Sequence, residues 1–444
     1  MDRHDLRFDV VIVGGGPAGS MLGSFLAMKG YRAAIVEQDI HPREHVGEAL
    51  TPSTNVILNQ IGFLEKMEDA GFVRKPGVVW TTPGSAPGKF ISVRTAEFPF
   101  PGAPRPYSYN VERGAMDTML LRHAHELGVK VLQGVRCRQI LFQDGRAVGV
   151  RAAVMDGWER DLHARVVVDA SGRHCLMAKQ LGLRKKDSEL NQFAIWSWFR
   201  GVDPGPPDYT EYLWLHFMGL EKAWAWQIPL RNGVTSVGVV TDKADFQKSG
   251  RSDQDFFDSL VSRNRTITHY MRDAVRIRPW AIEGDYSYEV ETIAGSGWML
   301  AGDAMRFIDP IFSSGMDVAG YSALYGSEAI DEVMKGGDEE HAFFEYQRRM
   351  KEGVETWYEL CLLFYGLQTL FTIFAVKRRF REQVIRVLQG NPYTPETLQR
   401  AREMIAIMRE AHEQVMKDPN NLLRPDVFQR VSARRGAVAS GTSP

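Results

Sequence analysis

The stretch Asp9–Val10–Val11–Ile12–Val13–Gly14–Gly15–Gly16–Pro17–Ala18–Gly19 decides the fold. An apolar run of strand length passes into Gly14-x-Gly16-x-x-Gly19, and apolar residues at helical spacing continue through Leu26. Glycines in this pattern permit a tight turn, close approach of backbone to a pyrophosphate, and tight packing of helix on strand. The helix start beyond them, with Ala18 in its first turn, offers N–H groups and the positive end of its dipole to the phosphates. A second apolar strand, Ala33–Val36, then delivers Glu37 about 20 residues past the glycines, where a carboxylate accepts from ribose hydroxyls. Strand, glycine turn, helix and acid together specify an adenine dinucleotide site. The glycine pattern alone would be weak.

Composition narrows the alternatives. A chain of 444 residues buries a large core and should hold two or three structural units. Lys and Arg number 54 against 55 Asp and Glu, for a net charge of −1, so no nucleic-acid surface is implied. Cys137, Cys175 and Cys361 lie far apart, with neither metal nor disulfide spacing, and read as reduced thiols of a cytoplasmic protein without a metal. The chain enters its first strand almost at once, leaving no room for a signal peptide. Trp357–Val376 carries a single charge, Glu359, and has the length to span a bilayer. Gln368, Thr369, Thr372 and two tyrosines interrupt it, so a core or substrate-lining helix is expected, with membrane contact as the alternative.

Taken in order, the remaining chain is expected to divide into a split nucleotide-binding domain, 8–182 and 285–335, and an inserted domain, 183–284. Helices should follow over 336–432, and a small polar tail over 433–444 should be disordered. The nucleotide half includes Pro42–Arg43–Glu44–His45–Val46–Gly47–Glu48, a helical pattern over Ser53–Ala70, and a strand near Lys75. A Pro- and Gly-rich excursion (75–112 in all) contributes to the substrate side. Four apolar runs, Phe193–Phe199, Tyr209–Phe217, Ala223–Leu230 and Thr235–Thr241, have short polar connections and predict an antiparallel sheet. Gly302–Asp303 follows a late buried strand, nearly 290 residues after the first glycine turn. Read alone, Asp303 is an ordinary helix cap. With the opening motif and Asp169–Ala170–Ser171–Gly172, it fits a split domain for FAD. No second Gly-x-Gly-x-x-Gly exists for a nicotinamide nucleotide.

Trp224–Ala225–Trp226–Gln227–Ile228–Pro229, Gly47–Glu48, Lys75 and Asp309–Pro310–Ile311–Phe312–Ser313–Ser314–Gly315 match a known family. Over roughly residues 8–415 the chain resembles the flavin-dependent halogenases, which share their fold with the single-component aromatic hydroxylases. The implied architecture is α/β: a Rossmann-like FAD-binding domain with an inserted antiparallel sheet and a C-terminal helical region. Asn191–Ile195, Thr235–Thr241 and Trp357–Tyr358–Glu359 are most similar to halogenases of pyrrolyl groups on carrier proteins, of the pyoluteorin and marinopyrrole type.

The resemblance implies that FAD, reduced by a separate flavin reductase, reacts with oxygen to a C4a-hydroperoxide. Chloride or bromide attacks it, and the hypohalous acid travels to an electron-rich ring. Gly14, Gly16, Ala18, Gly19, Glu37, Arg43, Glu48, Asp303, Pro310 and Gly315 would hold FAD. Ser313, Ser314 and Gly315 would hold the halide through successive N–H groups at a helix start; a plain capped helix start is the local alternative. Lys75, a surface residue on any local reading, would control the oxidant by hydrogen bonding or as a chloramine. Trp224, Trp226, Phe312, Ser314, Val318 and Trp357 would shape the route and the ring's pocket, with core packing as the plain reading of each. The runs Arg348–Lys351 and Lys377–Arg381 offer docking patches to an acidic carrier protein, or are solvated helix faces. The glutamate that tryptophan halogenases place near the lysine has no match here, which favours an activated pyrrole or phenol. The competing functions are a phenol halogenase, an NAD(P)H-dependent aromatic monooxygenase and a non-catalytic flavoprotein.

Overall fold

A computed structural model describes residues 7–424 apart from 155, 156, 188, 221, 285, 286 and 422. The expected disordered tail therefore lies outside the described residues. The mixed α/β architecture read from the sequence is present, organised by two sheets of eight strands.

The first sheet is built on Arg7–Val13, whose last four residues are buried on both faces. Its parallel neighbours are Ala33–Glu37 on one side and the end of Trp158–Asp169 on the other. Lys130–Gln133 extends the sheet beyond the first, and Trp298–Leu300 beyond the second. Side chains buried on both faces need cover on each, and Pro17–Met28 and Gly315–Met334 pack together as one such layer. The late strand Trp298–Leu300 thus carries Gly302–Asp303 to the same C-terminal strand edge as Gly14. Ligands of open α/β sheets bind at that edge. Trp158–Asp169 is longer than the expected Ala164–Asp169, because its first half pairs antiparallel with the hairpin strand Arg146–Val154.

The second sheet contains Gln192–Arg200, Thr235–Asp242, Trp224–Pro229 and Leu213–Phe217, antiparallel as expected. Gly77–Thr81 then joins Leu213–Phe217 in parallel, and Ile91–Arg94 follows it antiparallel, so the sheet is mixed. The excursion after Lys75 thus supplies two strands of the sheet. Pro76 lacks an N–H and divides the expected single strand into Val73–Lys75 and Gly77–Thr81. Likewise Ser53–Ala70 forms two helices, Pro52–Gln60 and Leu64–Asp69, separated at Gly62 with φ +73°.

Four helices close the described chain: Glu339–Gly366, Gln368–Val376, Arg378–Gln389 and Pro395–Lys417. Trp357–Val376 is not one helix. It breaks at Leu367 (φ −140°, ψ 34°), and the two arms bend by 101°. Among the described residues no single helix is long and apolar enough to cross a membrane; this bent pair meets the requirement only by length and composition. Trp357, Phe364, Phe371 and Phe374 of the segment are buried.

Candidate active site

The glycine turn is a cradle that side chains would fill. Gly14 has φ +106°, and a Cβ there would lie within 3.0 Å of the Ala170 carbonyl; one at Gly19 would meet the Gly14 carbonyl as closely. Gly16 faces the Arg43 guanidinium at 3.1 Å from an added Cβ, which sets a cation beside the place of a pyrophosphate. Glu37 lies buried at the end of its strand. Its two oxygens accept the Gly15 N–H (2.6 Å) and the Asp39 N–H (2.8 Å), leaving outer lone pairs for ribose hydroxyls. Ala18 packs against Gly302, whose absent Cβ would fall 2.8 Å from the alanine methyl. Asp303 follows, its carboxyl pushed by burial up to about 6. These residues fit an adenine dinucleotide.

Further along, Asp309 caps the short turn Pro310–Phe312 by accepting the Ile311 N–H (2.9 Å). Ser313 is left-handed (φ 55°) and gives its N–H to the Pro310 carbonyl (3.0 Å). Ser314 and Gly315 then begin the helix Gly315–Met334, where N–H groups have no intrahelical acceptor. Of the three proposed halide residues, the last two therefore offer backbone donors. An added Cβ at Gly315 would meet nothing within 4 Å, which leaves room for a planar ring.

Lys75 is 2 % exposed, contrary to the ordinary place of a lysine. Burial lowers its amine to about 7, with Asp317 pulling the other way. Asp317 stands in the first turn of the helix that Ser314 and Gly315 begin, next to Val318. The charge felt by the proposed oxidant-handling amine thus belongs to the helix that the proposed halide donors begin. Glu48, assigned to the flavin, accepts the Trp198 Nε1–H from the second sheet on one oxygen (2.6 Å), and its other oxygen has no partner. Burial pushes its carboxyl up to about 7, against the hydrogen bonds of Ser236 and Trp198.

Trp224 and Trp226 share one face of their strand, with ring centroids 6.0 Å apart. Trp226 lies across Gly238, where an added Cβ would fall 2.5 Å from its Cη2, and donates to Ser236 Oγ at 3.1 Å. Trp224 donates to the Tyr365 hydroxyl (2.9 Å), which in turn donates to Asp309 Oδ1 (2.9 Å). This relay ties the tryptophan motif to the turn before the halide residues through the apolar C-terminal segment. Phe312 stacks on Trp357 (5.9 Å) and meets Phe364 and Phe371, making a dry aromatic wall.

The chain matches the FAD-binding domain family over residues 7–357. It is 39 % identical over 439 residues to a 1H-pyrrole-2-carbonyl-[peptidyl-carrier protein] chlorinase of Pseudomonas fluorescens, covering 95 % of this chain and 96 % of the relative. It is a flavin-dependent halogenase. A second relative of this halogenase is the corresponding brominase of Pseudoalteromonas luteoviolacea, 31 % identical over 86 % of this chain and 92 % of the relative. Among solved structures, a triple variant of a flavin-dependent brominase superimposes with a TM-score of 0.81 at 29 % identity, covering 93 % of this chain and all of that one. Its substitutions replace tyrosine, phenylalanine and alanine by serine, valine and tryptophan. The halogenase described here carries Ser314, Val318 and Trp357 at the same spacing.

Several residues escaped the sequence reading. Asp317 is one, although a lone acid in an otherwise apolar helical run was a visible signal. Arg113 pairs with Asp117 (2.8 Å) and holds the turn before Glu48 by donating to the Val46 carbonyl (2.7 Å). Tyr365 and Trp198 join distant segments and left no local trace. Some members of the basic runs are paired within the molecule. Arg348 pairs with Glu345 and Glu352, and Arg349 with Glu328. Arg381 pairs with Glu97 and donates to the Ala375 and Ser92 carbonyls.

Proposed function

We propose that this halogenase chlorinates a pyrrolyl ring held as a thioester on a carrier protein, in the cytoplasm, with FAD reduced by a separate flavin reductase. The observation that carries the substrate is the trio Ser314, Val318 and Trp357, together with full-length similarity to a pyrrolyl-carrier chlorinase. Two small side chains and one indole suit a five-membered ring pressed against an aromatic wall. Chloride is favoured over bromide because the chlorinase shares more identity with this chain than the brominase does.

Reduced FAD, when bound, supplies with oxygen the oxidising power that turns halide into hypohalous acid. The protein does the rest. Gly14, Gly16, Gly19, Glu37 and Arg43 hold the dinucleotide, and Asp303 and Pro310 lie along it. The Ser314 and Gly315 N–H groups hold the halide beside the ring. Trp224, Trp226 and Phe312 keep water and the organic substrate apart from the flavin. Lys75, poised between ammonium and amine near neutrality, holds the oxidant by hydrogen bonding or as a chloramine. The ring carbon takes the halogen and then loses its proton; a pyrrole is electron-rich enough to do so without a carboxylate at its side.

The test supplies the protein with FAD, a flavin reductase, NADH, oxygen and chloride. Pyrrolyl- and hydroxyaryl-loaded carrier proteins are compared with the free acids, and products are read by intact mass. Chlorine on the pyrrolyl carrier alone is the expected result. Chlorination of the hydroxyaryl carrier or of a free acid in preference would replace the substrate assignment.

A further inference from the structure

Asp317 is fully buried at the start of the helix Gly315–Met334. Its Oδ1 accepts from the hydroxyls of Thr51 (2.7 Å), Thr54 (2.9 Å) and Ser53. All three donors come from the start of Pro52–Gln60, just after Glu48; burial raises the carboxyl to about 6, and these bonds hold it from rising further. The other oxygen, Oδ2, has no hydrogen-bond partner. On that side Gly390 (φ +93°) closes over the carboxylate so tightly that an added Cβ would lie within 3.0 Å of both Oδ2 and Ser53 Oγ. Leaving a buried carboxylate oxygen unpartnered is expensive, so the charge needs a use. Lys75 provides one. Lys75 pairs with Ser108, and the next residue, Tyr109, accepts the Leu50 N–H (2.9 Å), so the strand that carries the amine lies beside the chain entering the Thr51–Thr54 cradle. Asp317 opposes loss of the Lys75 proton across that gap, and no direct ion pair joins them.

We propose that Asp317 is a positioning residue: a buried counter-charge, fixed by three hydroxyls, that governs the charge of the Lys75 amine while leaving its hydrogens to the oxidant. This deepens the role given to Lys75 above and rests on it. A direct salt bridge would occupy the ammonium, and a full neutral environment would strip its proton. A counter-ion held off by its own hydroxyl cradle avoids both. Gly390 seals that cradle from the C-terminal side, which keeps water from screening the pair. The other titratable groups facing Asp317 are Tyr321 on its own helix and Tyr393 from the C-terminal turn. Burial raises both phenols, so neither carries charge in the working range.

The test compares chlorination rates across pH for the wild type, Asp317→Asn, Thr54→Val and Lys75→Ala, alongside FAD affinity and thermal melting. Asp317→Asn removes the counter-charge and keeps the shape. The limb of the profile that belongs to Lys75 should move to lower pH by about one unit, with FAD affinity unchanged. The direction is the same whether ammonium or amine is the working form. Thr54→Val withdraws one hydroxyl from Oδ1, raises the carboxyl and should shift the limb the same way by less; it also decides the matter if Asp317→Asn does not fold. Folded variants with an unmoved limb overturn the inference about Asp317 alone, provided Lys75→Ala is inactive. Lys75→Ala that chlorinates normally overturns the role of Lys75 and this inference with it.

Discussion

Replacing Tyr365 by Phe removes one oxygen from the relay that joins Trp224 to Asp309. The hydroxyl donates to Asp309 at 2.9 Å and accepts from the Trp224 indole at 2.9 Å, with all three side chains buried. Two terms follow. A hydrogen bond to an ionisable carboxyl contributes about 1.5–3 kcal/mol, and an indole N–H orphaned in the core costs about 1–3 kcal/mol. They share a network and do not simply add, so about 3 kcal/mol of stability should be lost. For 444 residues, unfolding entropy of about 2.1 cal/mol/K per residue converts this to a fall in Tm of about 3 °C. Urea and thermal melts of the flavin-loaded protein read the loss. A Trp224→Phe variant and the double variant complete a cycle, whose coupling should be at least about 1 kcal/mol. A Tyr365→Phe protein within about 0.5 kcal/mol of wild type, with no coupling to Trp224, would refute the relay.

Gly14→Ala forces a methyl against the Ala170 carbonyl at a left-handed position; strain of about 1–3 kcal/mol should weaken FAD binding roughly 10- to 100-fold by fluorescence titration, and unchanged affinity would contradict the cradle. Gly238→Ala drives a Cβ to 2.5 Å from Trp226 and 2.6 Å from Trp196 Cβ, so stability should fall by about 1–3 kcal/mol in urea, and a neutral change would place Trp226 elsewhere. Burial pushes the Asp309 carboxyl up to about 6 in the folded chain, from an ordinary value of 3.8. The folded state therefore binds more protons between those values, and this contribution is present below pH 3.8 and lost as pH rises through 6. The stability difference between wild type and Asp309→Asn should decline by up to about 3 kcal/mol from pH 4 to pH 7; a flat difference would contradict it.

The elements that were legible in the sequence are those whose cause is local. Glycines at fixed offsets after an apolar run announce a phosphate turn, and Gly14 with its φ of +106° adopts the conformation that only glycine takes easily. Alternating residues in Trp224–Pro229 announce a strand, and the two indoles do share a face. What stayed hidden has distant causes. The parallel pairing of Gly77–Thr81 with Leu213–Phe217 joins segments more than a hundred residues apart. The bond from Trp198 on the second sheet to Glu48 likewise joins segments 150 residues apart. The break at Leu367 divides a segment whose composition is uniform, because it folds both arms onto one aromatic cluster: Phe364 meets Phe217, Phe371 meets Trp80 on the neighbouring strand, and the two rings meet each other. Burial of Lys75 is likewise a product of tertiary packing, since its flanking residues, Arg74 and Pro76, give no apolar pattern.

Lys75→Ala, supplied with reduced FAD, oxygen, chloride and a pyrrolyl-loaded carrier protein, tests the central claim most directly. Two readings are taken from one reaction: hypochlorous acid captured by an added amine scavenger, and chlorine on the carrier-bound ring by intact mass. The amine should handle the oxidant after it forms, so the variant should bind FAD normally and release trapped hypochlorous acid while leaving the pyrrole unchlorinated. A variant that chlorinates the pyrrole at the wild-type rate would contradict the assignment of Lys75.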